Sequence, residues 1–152
     1  MVWPRQARRR WPRRLTFAMV AAMAAGTALA SPAQDYMLYC MGCHGSQAQG
    51  VPGRIPPLAH ALTRYMRSPA GRDYVLRVPG AANSVLSDAQ LAAVLNWVAA
   101  QFDANELLSG LPLFTAEEVA HARHSPLAAV LARRREVVRS LAASGASPGL
   151  DY

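Results

Sequence analysis

The chain has 152 residues, 52% of them hydrophobic and 16% charged, with 16 Lys+Arg, 9 Asp+Glu and two cysteines. One compact domain fits that length, while the apolar content excludes a disordered chain and the cysteine count excludes a disulfide scaffold. A formal charge of +7 raises nucleic acid and anionic membrane as partners, so the placement of the charges decides.

Every basic residue is arginine, and six of the 16 precede the first acid, Asp35: Arg5, Arg8, Arg9, Arg10, Arg13 and Arg14. An uncharged run of 16 residues from Leu15 to Ala30 follows and closes on Ala28-Leu29-Ala30. A basic start, a short apolar stretch and a small-x-small end form a secretory signal peptide, residues 1–30, with cleavage expected after Ala30. The run is shorter than the roughly 20 residues a spanning helix needs, so membrane attachment is expected only if the signal stays uncleaved. Arg13-Arg14 suggests the twin-arginine route, but Thr16 breaks its pattern. Cleavage leaves 122 residues carrying 10 arginines against 9 acids. The charge therefore reports export to the periplasm, and no nucleic-acid partner is expected.

Ser31-Pro32 opens the first predicted helix, with Ser as cap, Pro in the first turn and Asp35 placed to suit the helix dipole. The helix is expected to run through Tyr36 to Tyr39 into Cys40-Met41-Gly42-Cys43-His44, with Gly45 as its exit. Both cysteines of the chain lie here, in the C-x-x-C-H pattern of c-type haem attachment. Residues three apart share a helix face, so both thiols can reach the two vinyl groups on one haem edge. His44 then offers its imidazole as the proximal iron ligand. Other chemistries of the pair are weaker. A disulfide across this spacing closes a very small loop, and a thiol–disulfide oxidoreductase needs a βαβ context that is missing. A zinc site needs further ligands, and His60, His121 and His124 show no paired metal spacing.

Gly45 to Pro57 reads as loop, since Gly50, Pro52, Gly53, Pro56 and Pro57 oppose regular structure. A short helix is expected over 59–67, stopped by Pro69, and a brief apolar stretch over 73–78, stopped by Pro79-Gly80. The segment 87–102 carries the clearest helix signals. Ser87 and Gln90 form a capping box, Leu86 and Leu91 a hydrophobic staple, and Leu91, Val94, Leu95, Val98 and Phe102 fall on one face. Thr115 and Glu118 form a second capping box, opening a helix to about Ala122. Ser125-Pro126 is expected to start a last helix reaching about Ala143. No segment alternates with period two, so the fold is expected to be all-α.

This order of parts resembles the class I cytochromes c over roughly residues 31–103. In that family an N-terminal helix ends in CxxCH, Pro-x-Leu follows, and a C-terminal helix crosses the first. Pro56-Pro57-Leu58 matches Pro-x-Leu, and the resemblance implies that the Pro56 carbonyl accepts from the proximal imidazole, fixing its orientation. Tyr65-Met66-Arg67-Ser68-Pro69, Val78-Pro79-Gly80 and Asn96-Trp97-Val98 match the family's later landmarks. The resemblance implies a helical fold around one covalently bound haem c held by Cys40, Cys43 and His44; residues 104–152 lie outside it and read as an appended extension of two helices.

The chain departs from the family at the sixth iron ligand. A methionine three residues after Pro-Gly supplies it there, but here Asn83 stands in that position and 81–86 contains neither Met nor His. After the signal only Met37, Met41 and Met66 remain, and the first two lie on the proximal helix. Met66, His60, water or no ligand stay open, and Met66 reads equally well as core filling. Asn83 can hydrogen-bond an iron ligand or simply end a turn. The arginines at 54, 64, 67, 72 and 77 can pair with propionates, face an acidic redox partner, or be solvated. Arg133, Arg134, Arg135 and Arg139 read as the solvated face of the last helix, and His121 and His124 as surface residues.

The function expected is single-electron transfer between periplasmic redox proteins, as a soluble carrier or the small haem subunit of a dehydrogenase, and not an enzyme in itself. The alternatives are a ligand-binding or peroxidatic haem protein with an open distal site, and a haem-free thiol redox protein.

Overall fold

The computed structural model describes residues 30–108 and 110–146. The signal-peptide reading lies outside these residues apart from Ala30. Helices and turns make up the described chain, and its β pairing is one isolated bridge, Val51 to Ile55. The fold is all-α.

Helix α1, Pro32–Tyr39, starts at a full capping box: the Ser31 hydroxyl accepts from the Gln34 amide while the Gln34 side chain accepts from the Ser31 amide. It ends one residue before the haem motif instead of running through it. Cys40 leaves helical geometry at φ −122°, and a single further turn, α2 (Met41–His44), carries the second cysteine and the histidine. Gly45 then exits at φ +79°, a conformation that glycine adopts without steric cost.

The next three elements are α3 (Leu62–Met66), α4 (Pro69–Arg77) and the one-turn α5 (Pro79–Ala82). Pro69 does not merely stop a helix but begins one. Ser68 caps α4 by accepting from the Gly71 amide, and Pro69 sits in the first turn, where its missing N–H costs nothing. The bend from α3 to α4 is tight enough that a Cβ on Gly71 would overlap the Tyr65 carbonyl oxygen. Across this bend Tyr65 and Tyr74 stack with centroids 5.3 Å apart.

Helix α6, Asp88–Phe102, begins at the expected Ser87–Gln90 capping box. Its apolar face is buried as the spacing predicts, with Leu91, Val94, Leu95 and Val98 all at most 8% exposed. This helix packs on α1, where the Tyr36 and Trp97 rings meet at 5.5 Å.

The extension contributes α7 (Ala104–Leu108), a short helix the sequence did not signal, then α8 (Ala116–Arg123) and α9 (Val130–Ala143). Helix α8 lies on α4 and α6, and α9 lies on α4. Three expectations change here. The Thr115–Glu118 capping box is only half made, because Thr115 accepts from the Glu118 amide while the Glu118 carboxylate is drawn to Arg72. The last helix starts at Val130, not Ser125, because the Leu127 amide donates to the Arg77 carbonyl and the Ser125 carbonyl accepts from the Arg77 side chain. Arg134 leaves the solvated set: it is 6% exposed, on the buried face with Val137, Val138 and Leu141, whereas Leu131 on the same helix is 59% exposed. Among the described residues no helix is long and apolar enough to cross a membrane.

Candidate functional site

The residues Cys40, Cys43 and His44 come together on α2 and the residue preceding it. Both cysteines are free thiols; Cys40 is half-buried and Cys43 exposed. The thiol of Cys40 is pushed up from its ordinary value, first by burial and then by the charges of Asp35 and Cys43. Asp35 stands in the first turn of α1 as expected and is also buried, at 2% exposed.

The His44 imidazole is fixed by its surroundings. Its Nδ1 lies 3.0 Å from the Pro56 carbonyl oxygen. A carbonyl can only accept, so Nδ1 is the donor and carries the proton, leaving Nε2 with the lone pair a metal needs. Burial lowers the His44 pKa below its ordinary value, against the smaller opposing effect of the Pro56 bond, so the ring is held neutral. Two thiols and a neutral imidazole of fixed tautomer, set within one turn, are a donor set that fits a covalently attached haem.

The loop from 45 to 59 delivers the Pro56 carbonyl to that ring. The Gly50 amide donates to the His44 carbonyl at 2.8 Å, and the Leu58 and Ala59 amides donate to the Ala48 carbonyl at 2.8 and 3.1 Å. Gly50 adopts φ +70°, and a Cβ there would overlap the Ile55 oxygen and lie 2.8 Å from the Pro56 oxygen. Tyr36 ties α1 to the same turn, donating its hydroxyl to the Gly45 carbonyl at 2.6 Å.

The distal candidates fare differently. His60 is tied to Asp103: its Nδ1 meets Asp103 Oδ1 at 2.7 Å, and its side chain is 74% exposed. The Thr63 hydroxyl donates to the other Asp103 oxygen at 2.9 Å. Met66, at 1% exposed, is a core residue at the end of α3. Asn83 ends α5 at φ −93° and is exposed, as a turn residue is. His121 and His124 are exposed on and beside α8.

The arginine stretch is largely committed within the molecule. Arg72 makes a two-pronged pair with Glu118, donates to the Pro112 and Leu113 carbonyls at 2.7 and 3.0 Å, and lies 4.4 Å from the Phe114 ring centre. Arg67 pairs with Glu106. Arg77 pairs with Asp73 at 3.2 Å and donates to the Ser125 carbonyl at 2.7 Å. Arg54, by contrast, is exposed in the 45–59 loop.

A helical fold that presents two thiols and a carbonyl-anchored histidine in C-x-x-C-H order defines a haem-attaching class of protein. The chain belongs to the c-type cytochromes, whose cofactor is covalently bound haem c. It is 33% identical over 118 residues to cytochrome c-552 of Thermus thermophilus, an alignment covering 64% of this chain and 90% of that protein. A second cytochrome c-552, from a named strain of the same organism, gives the same identity, with 80% of its length covered. No family model matches the chain.

Proposed function

We propose that this chain is an exported mono-haem cytochrome of the class I type, carrying single electrons between periplasmic redox proteins. It would serve as a soluble carrier or as the small haem subunit of a dehydrogenase. In this reading 1–30 is the signal peptide, 31–103 the cytochrome domain and 104–152 its helical extension. Cys40 and Cys43 hold the haem as thioethers, and His44 ligates its iron through Nε2. The bound group supplies a reversible one-electron couple.

The observation that carries the reading is the His44 Nδ1 bond to the Pro56 carbonyl, beside two free cysteines. That bond sets the ring's plane and raises its basicity toward a metal. Burial lowers the His44 pKa and so favours the neutral imidazole, the form that can ligate a metal. The Gly50 turn and the Tyr36 hydroxyl keep the histidine and its carbonyl from separating.

Potentiometric titration of the exported protein tests this function. The expected result is a haem absorbance that follows a reversible one-electron curve. A two-electron thiol–disulfide couple with no haem absorbance would favour the thiol redox alternative and overturn the reading.

A further inference from the structure

We propose that the outward face of α9 docks an acidic protein surface, with Arg135 and Arg139 taking its carboxylates and Leu131 supplying the apolar contact beside them. The inference stands apart from the haem reading and uses only the extension's own side chains.

Arg67, Arg72, Arg77 and Arg123 are each matched by a carboxylate of the chain itself. On α9, Arg133 takes Glu136 at 3.2 Å, the one acid of that helix. Arg135 and Arg139 are exposed, and among the described residues neither makes a hydrogen bond or an ion pair. Four residues apart, they share one helix face, where like charges repel and weaken the helix. Leu131, four residues before Arg135, continues the stripe and is 59% exposed. Ala132 and Ala143 beside it are exposed too, and small enough to let a flat partner approach. Arg54 is likewise uncommitted, but it is the single charge of the 45–59 loop and forms no such stripe.

The occupant follows from charge and burial. Uncompensated positive charge selects an anionic partner. A lipid surface is the weaker fit, because an interfacial helix sinks its apolar face among the acyl chains. Here that face is already spent, with Val137, Val138 and Leu141 each 1% exposed inside the molecule. Guanidinium forks bind carboxylates through paired hydrogen bonds. The two arginines stand about 6 Å apart along the helix axis. The complementary surface therefore carries two carboxylates at a similar spacing.

The test titrates the full exported holoprotein, isotopically labelled, with poly-L-glutamate at low salt and follows its amide NMR signals. The expected result is a set of shifts concentrated at 131–139 and lost when salt is raised. Replacing both arginines, Arg135→Gln with Arg139→Gln, should weaken this binding at least tenfold. Because those side chains bond to nothing in the molecule, the double variant should melt no lower than the parent. A lower melt would make the arginines structural and overturn the proposal. Shifts centred on the 45–59 loop or spread over the whole surface would overturn it as well. So would an unchanged affinity in the double variant, or no binding at all. Tighter binding to phosphatidylglycerol vesicles than to poly-L-glutamate would make the face a membrane contact and overturn it too.

Discussion

At Gly50 the chain must pass so close to the Ile55 and Pro56 carbonyls that no side chain fits, and φ is +70°. Because the Pro56 oxygen is the one that holds His44, Gly50→Ala should disturb the imidazole as well as the loop. A loss of about 1–3 kcal/mol is expected from overpacking and a positive φ, read by denaturant melts, together with a shifted haem potential. Tyr36 gives a pH prediction. Burial raises its pKa above the ordinary 10.0, so the unfolded chain loses this proton first as pH rises. Its contribution is therefore complete below pH 10.0 and is lost as pH climbs through the higher folded value. Tyr36→Phe should remove that alkaline decline, at a cost near neutrality of about 1 kcal/mol for the lost bond to Gly45, as melts across the alkaline range would show. Residues in local motifs were readable from the sequence: Ser87–Gln90, the two cysteines, His44. The His60–Asp103 and Tyr36–Gly45 bonds were not, because they join side chains to partners that only the tertiary fold brings near.

Asn96 and Arg72 supply two of the polar links that fasten the extension to the cytochrome core. Asn96 of α6 uses both ends of its amide on Phe114, donating to its carbonyl and accepting from its amide, each at 2.9 Å. Asn96→Ala leaves both backbone groups part-buried without that partner and should destabilise the protein by about 1–3 kcal/mol. Arg72, 12% exposed in its side chain, binds Glu118 and two carbonyls of the 112–113 segment at once. Arg72→Ala should cost a similar amount, about 1–3 kcal/mol after allowing for solvent at the partly exposed Glu118. A double-mutant cycle with Glu118→Gln should then return a coupling well above that of a surface ion pair. The boundaries that the sequence misplaced have one local and one tertiary cause. Proline was read at Pro69 as a stop, although after a serine it opens a helix equally well. Ser125-Pro126 carried a valid start signal, but Arg77 captures the Ser125 carbonyl and the Leu127 amide before a helix can form. Tertiary hydrogen bonds outweighed local propensity there.

For the whole molecule, the basic charge divides into parts with different meanings. Six arginines belong to the expected export signal, and Arg67, Arg72, Arg77 and Arg123 each have an acidic partner within the chain. The candidate site is one helical turn with its carbonyl-anchored histidine, inside an all-α frame that the extension completes by covering α4 and α6. The most direct test is the intact mass of the protein exported from cells equipped for haem attachment, taken under denaturing conditions. The account predicts a chain beginning at Ser31 plus the mass of one haem, with the haem lost when Cys40 and Cys43 are both replaced by alanine. A wild-type mass of polypeptide alone, whether as free thiols or as a disulfide, would contradict it.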